Sequence, residues 1–212
     1  MRLVLEYLEL EYEDTAFEQG MDPVLEMKRT VAGFAPPYLV HGDVVLAQTT
    51  AICFYLGQRH GAIPAAPETA ARVLQLLGTV MDVVSEVHDT HHPISVEKTY
   101  EEQMPEAKVR GRVFVEKRIG PWLQFFSDCL SGREWLVDGD VSVADICLFQ
   151  LLEGLQFAFP RAFLKHVSPV LIAHADRVRK LKGVREYLAS PRRQAFNQFG
   201  IFRHYPELDL AE

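Results

Sequence analysis

The residues able to bind or react gather at a few places in the chain. Pro36 and Pro37 stand in tandem just before the apolar run at 38–40. Neither has an N–H to donate, so the pair either stiffens its loop or keeps neighbouring backbone open to an incoming partner. Gln48 and Thr49 lie where a strand-like run passes into a helical pattern. Thr49 therefore reads as a helix N-cap, and free N–H groups at such an end suit an anion. His88 and His92 are four apart, a spacing that holds a metal on one helix face. No H-E-x-x-H pattern and no evident third ligand accompany them, so the expectation is a helix-end cluster before Pro93 and no metal. Cys53, Cys129 and Cys147 are odd in number and form no C-x-x-C, which argues against a disulfide framework, a zinc site or a thioredoxin-type redox pair. Cys53 reads as a small buried apolar residue.

The elements that must position these residues fall into two regions. Up to about Pro64, "RLVLEYL" has helical spacing, "LEYEDTAF" alternates like a strand, and "DPVLEMKRTV" opens with Asp22 and Pro23 in the order of an N-cap and first helical residue. "PYLV" and "VVLA", separated by His41, Gly42 and Asp43, predict a hairpin, and "TAICFYLGQRHG" predicts a helix stopping at Gly61. This region is α/β. Beyond "AIPAAPE", a short connection rich in Pro and Ala, strand patterns vanish. "ETAARVLQLLGTVMDVVSEVHDTH" predicts a long helix. "PEAKVRGRVFVEKRIGPWLQFFSDCL" predicts another, bent at Gly120–Pro121, and the segment from Lys165 to Pro191 two more, ending near Gly183 and Pro191. Ser142 and Asp145 form a capping-box pattern, with Val141 and Ile146 placed as a hydrophobic staple. The expected division is residues 1–64 and residues 65–212.

Composition narrows the function classes. Lys and Arg total 22 against 29 Asp and Glu, for a net charge of −7, and the basic residues are scattered. That argues against a nucleic-acid surface and favours small-molecule or protein partners. No apolar run reaches membrane-spanning length, and glutamates interrupt the N-terminal stretch where a signal peptide would need an apolar core. The expectation is a cytoplasmic protein with no membrane partner.

The α/β region, the hairpin leading into "AQTTAICFYLG", the helical second half and the "SVADICLF" capping box together resemble a cytosolic glutathione transferase over nearly the whole chain. Phrases such as "FAPPYLVHGD", "HDTHHPIS", "LLEGLQFAFP" and "GIFRHYPELDL" resemble a microbial branch. The resemblance implies a thioredoxin-like domain that binds glutathione as co-substrate, an all-helical domain that helps hold an apolar electrophile, and a homodimer. It implies that a cis proline presents the backbone before it to glutathione; spacing to Gln48 favours Pro37, spacing from Gly33 favours Pro36. It implies that Gln48 and Thr49 receive the γ-glutamyl carboxylate, and that Asp89 lies near the glutathione amino group, from the same or the other subunit. The aromatics of "LQFAFPRAF" and "FNQFGIFRHYP" read mostly as core, some as walls of an electrophile pocket.

The resemblance also exposes a gap. The chain begins at what resembles the middle of the family's first helix, so the family's first strand and its thiol-activating Tyr, Ser or Cys have no counterpart here. A start assigned too late and a truncated variant both fit. The catalytic residue is unknown, and two readings stay open: a transferase that conjugates glutathione to apolar electrophiles, and a non-catalytic dimer or ligand-holding protein of the same fold.

Overall fold

Apolar spacing in the first residues builds a short helix, α1 (Arg2–Tyr7), which buries Leu3, Val4 and Leu5. The computed structural model describes residues 1–30 and 33–211. After α1 the expected strand in "LEYEDTAF" does not form: residues 10–14 are irregular, and α2 (Thr15–Glu18) follows. A strand exists only beside a partner that completes its ladder, and among the described residues none flanks this segment. Its polar side chains turn back instead. Tyr12 Oη donates to Glu6 at 2.7 Å, and Asp14 pairs with Arg2 and caps α2.

α3 (Asp22–Thr30) forms as its pattern predicts, while Val31, the last residue of that pattern, lies outside the described residues. The hairpin also forms. β1 (Tyr38–His41) pairs antiparallel with β2 (Val44–Ala47), Tyr38 opposite Ala47 and His41 opposite Val44. The two-residue turn between them needs a positive φ, which Gly42 supplies at 60°. α4 (Thr49–Arg59) then packs against β2, α1 and α5 (Pro67–His91).

The remaining elements are helical. The next predicted helix changes its hydrogen-bond pattern before Gly120–Pro121. α6 (Met104–Val113) passes into one π turn, Phe114–Arg118, before α7 (Ile119–Cys129). Pro121 offers no N–H to the Lys117 carbonyl one turn back, and the ladder has already widened, with Ile119 N–H donating to Phe114 O.

α8 (Val143–Ala158) is the central helix, apolar on nearly every side and packed on α1, α4, α5, α9 (Pro160–His166) and α10 (Pro169–Lys180). The predicted capping box starts it. The Asp145 carboxylate, wholly buried, accepts from Ser142 N (2.9 Å), Ser142 Oγ (2.9 Å), Leu136 N (2.9 Å) and His174 Nε2 (3.0 Å). One side chain thereby joins the start of α8 to α10.

The last helix, α11 (Lys182–Leu188), starts after a break at Leu181, so Gly183 lies within it and does not end α10. Glycine is needed there for packing: a Cβ would stand 1.8 Å from the Glu6 carbonyl oxygen of α1. The C-terminal segment is strapped back across the helices. Tyr205 stacks on Tyr100 with centroids 3.8 Å apart, and the Asp209 carboxylate accepts from the N–H groups of Arg161 and Ala162 at the start of α9.

Candidate functional site

The end of β2 and the start of α4 meet at Gln48, whose backbone is left-handed in φ (72°) with ψ at 121°. A residue with a side chain holds such a conformation at a cost of about 1–3 kcal/mol, and costs of this kind concentrate at ligand sites. Ile52 N donates to Gln48 O at 3.0 Å, so the N–H groups of Thr49, Thr50 and Ala51 precede the first helical bond. No side chain caps this end, and its first turn holds no acidic residue. The N-cap is thus Gln48 and not Thr49, and among the described residues the start of α4 is electropositive with no capping side chain from Gln48 and no acid in its first turn.

It opens into a cleft of ≈ 1180 Å³. Pro36, Pro37, Gln48 and Thr49 all line it, together with α1, α5, α8 and the C-terminal segment. Single ligand sites run to roughly 1,000 Å³, so the space admits a peptide-sized molecule and a second one beside it. The peptide bond between Pro36 and Pro37 is cis, which makes Pro37 the cis residue. Gln48 and Pro36 are exposed, whereas Thr49 and Pro37 are half-buried.

Part of the cleft's lining is apolar. Phe196, Ile201 and Phe202 come from "FNQFGIFRHYP", and Met81 and Val84 from α5. Phe196 is braced by Phe157, stacked with centroids 5.0 Å apart. Of "LQFAFPRAF", Phe159 and Phe163 are core and Phe157 stands behind the wall, so that phrase supports the pocket without lining it.

Asp89 is elsewhere. Its half-exposed carboxylate meets Arg110 of α6 at 3.5 Å, and it does not line the cleft of its own chain. Cys53 is fully buried as expected. Its neighbour Cys147 reaches the cleft, but burial and a shared hydrogen bond with Cys53 hold that thiol protonated well above the ordinary thiol range.

The tyrosine hydroxyls that line the cleft are already engaged. Tyr12 donates to Glu6, and burial with that carboxylate raises its pKa, so it remains a protonated phenol. Tyr38 Oη lies 3.3 Å from the Gly33 carbonyl, and Tyr187 sits beside Arg193. Of the C-terminal wall, "FNQFGIFRHYP" contributes as expected through Phe196 and Phe202, whereas Gln194, Ala195, Tyr12 and Tyr187 had no place in the sequence-based expectation. The only sequence signal of the two tyrosines is aromatic content, which core residues share.

Known proteins with this pattern can now be set beside the geometry. Residues 1–58 match the family model described as Glutathione S-transferase, N-terminal domain, and residues 88–191 the model described as Glutathione S-transferase, C-terminal domain. A class-mu 26 kDa glutathione S-transferase isozyme of Schistosoma japonicum is 26% identical over 192 residues, covering 89% of this chain and 82% of the relative. Glutathione S-transferase Mu 3 of Mus musculus is 26% identical over 200 residues, covering 91% and 85%. Among solved structures, the prostaglandin synthase D of Nilaparvata lugens superposes with a TM-score of 0.73 at 21% identity, covering 90% of each chain. The glutathione S-transferase of Ascaris lumbricoides gives 0.67 at 24% identity, covering 89% of this chain and 88% of that one. At such identities the structural likeness speaks for the fold.

Proposed function

The chain belongs to the glutathione S-transferase family, with that family's thioredoxin-like N-terminal and helical C-terminal architecture, and on that premise we propose that it binds glutathione in the cleft and conjugates it to apolar electrophiles. The observation that carries this reading is the uncapped start of α4, with strained Gln48, opening into the same cleft as the Pro36–Pro37 loop. The γ-glutamyl carboxylate would take the N–H groups at Thr49 and Thr50 and the Thr49 hydroxyl. The Pro36 carbonyl would accept from the cysteinyl N–H of glutathione, while Pro36 itself returns no N–H. The cysteinyl sulfur would then face the apolar wall of Phe196 and Phe202.

In the reaction the thiol loses its proton, the thiolate attacks the electrophilic carbon, and a leaving group departs with its electron pair as the C–S bond forms. A free thiol with pKa about 8.5 is only a few per cent ionised at neutral pH, so rate depends on what favours the thiolate. We place glutathione binding in residues 1–64 and the electrophile's second wall in residues 65–212. The homodimer follows the family's habit and would let Asp89 serve the partner's site. Cytoplasmic residence fits three free cysteines.

A second reading has its own observation: Tyr12, Tyr38 and Tyr187 of the cleft already have partners, so no phenol among them is poised over the sulfur. This favours a ligand-holding protein of the same fold. Two measurements separate the cases. Calorimetric titration of glutathione should give binding that falls at least about tenfold in Gln48→Ala/Thr49→Ala, the loss expected for charge-assisted hydrogen bonds. With binding established, turnover of a chlorodinitrobenzene supports the transferase; saturation by glutathione with no turnover above the uncatalysed rate leaves the ligand-holding reading. Wild-type protein that fails to bind glutathione refutes both site assignments.

A further inference from the structure

Three histidines close the end of α5: His88 and His91 in its last turn and His92 at its C-cap. Spacings of three and four bring them to one face. Their ring centroids are 5.0, 5.0 and 4.9 Å apart in pairs, and one ligand nitrogen from each lies within 4.8 Å of the others. Three imidazoles on one tetrahedral ion, at metal–nitrogen lengths of about 2.0–2.1 Å, hold their centroids about 5 Å apart. The ring spacing therefore suits convergence of one nitrogen from each on a single ion.

The hydrogen bonds around the cluster favour such a role. His91, 1% exposed, has Nε2 at 2.8 Å from the Ile201 carbonyl, so that nitrogen carries the proton and Nδ1 keeps its lone pair. That Nδ1 is buried and has no hydrogen-bond partner. A ring N–H held by a carbonyl with the other nitrogen free is how metal-binding histidines are oriented. His92 is held by a hydrogen bond to the Lys98 backbone carbonyl, which leaves its other ring nitrogen for an ion; Gln103 Nε2, 3.0 Å from Nδ1, would have to give up that contact. The negative end of the α5 dipole favours a cation here. Arg203 opposes it; burial first, and Arg203 less, lower the pKa of all three rings.

We propose that His88, His91 and His92 bind one divalent cation of the zinc class, with water in the fourth position. An all-imidazole set without thiolate or carboxylate suits zinc, copper or nickel over magnesium or calcium. Because His91 grips the Ile201 carbonyl, and Ile201 walls the cleft, the ion ties the end of α5 to the C-terminal wall. The site is separate from the glutathione reading and stands or falls without it.

The test uses the full, untagged chain stripped with a chelator, in buffer free of glutathione. Cobalt(II) should bind in one equivalent with the intense visible bands of a four-coordinate ion, zinc should displace it, and zinc should raise Tm. His88→Ala and His92→Ala should each weaken binding by at least about 100-fold, more than loss of an outer-shell partner costs, with the Tm of the metal-free protein unchanged. His91→Gln, at a buried position, is the stricter variant, and the two half-buried positions carry the test if it fails to fold. No saturable cobalt binding, weak bands of a six-coordinate ion, or affinity unchanged in the His88→Ala/His92→Ala double variant would each overturn the proposal.

Discussion

Gln48 illustrates how one residue joins chain geometry to binding. Its positive φ turns the chain from β2 so that α4 begins facing the cleft. Glycine would hold this conformation without strain, gaining about 1–3 kcal/mol but giving back about 0.4–1 kcal/mol in unfolded-state entropy. Gln48→Gly is therefore expected to raise Tm by a few degrees while glutathione affinity falls, read by calorimetry and thermal melting on the same samples. The opposite pairing, lower Tm with intact affinity, would remove Gln48 from the site. The junction at Gln48 and Thr49 was legible in sequence because a strand-like run gives way there to helical spacing. The His cluster was half legible: His88 and His92 stood out at four apart, whereas His91 declares itself only by burial against Ile201.

Between elements, the decisive contacts are those that sequence periodicity does not encode. Gly183 lets α11 approach the α1 backbone to a distance no side chain tolerates. Gly183→Ala gains about 1 kcal/mol in helix propensity, but the clash with backbone at Glu6 costs the upper part of the overpacking range, about 3 kcal/mol. A net Tm loss of roughly 4–8 °C is expected by calorimetric melting. Glu86 of α5 ties down the π turn: Arg118 Nη2 and Nε lie 2.7 and 3.0 Å from its two carboxylate oxygens. Arg118 first, and Arg110 less, hold its carboxyl below the usual range against the opposing effect of burial. A depressed carboxyl contributes stability above its unfolded pKa and loses it as pH falls through the folded one. Glu86→Gln should thus be less stable than wild type near neutrality, with the difference shrinking to nothing in acid once the wild-type carboxyl is protonated. A difference that persists in acid denaturation curves would assign the loss to packing.

Across the whole molecule, the cleft is lined by parts far apart in the chain, the N-terminal loops and residues 193–197 and 200–202 among them. Phe196 stands on Phe157 and faces that space. Phe196→Ala should raise KM for an apolar electrophile about 3–10-fold, the value of part of a buried aromatic side chain. Glutathione affinity should stay unchanged, because the proposed carboxylate contacts are the N–H groups and hydroxyl at the start of α4, and Phe196 supplies none of them. Equal losses in both would mean that the C-terminal segment also shapes the glutathione side.

The local features were written in the chain itself. The capping box at Ser142 and Asp145, the hairpin at Gly42, the start of α4 and the run of apolar helices each depend on residues within a turn or two of one another. The features that failed to read out all depend on distant partners. Residues 10–14 alternate like a strand, yet among the described residues no neighbouring strand completes a ladder, and they turn polar groups toward α1. The irregularity expected at Gly120–Pro121 shows itself as a π turn just before them, where the hydrogen-bond ladder widens. Gly183 looked like a helix end and is a packing contact, since only the fold brings α1 beside it. Local conformation follows from short-range sterics and hydrogen bonding, which sequence spells out; the cleft and the third histidine follow from long-range packing, which only the folded chain resolves.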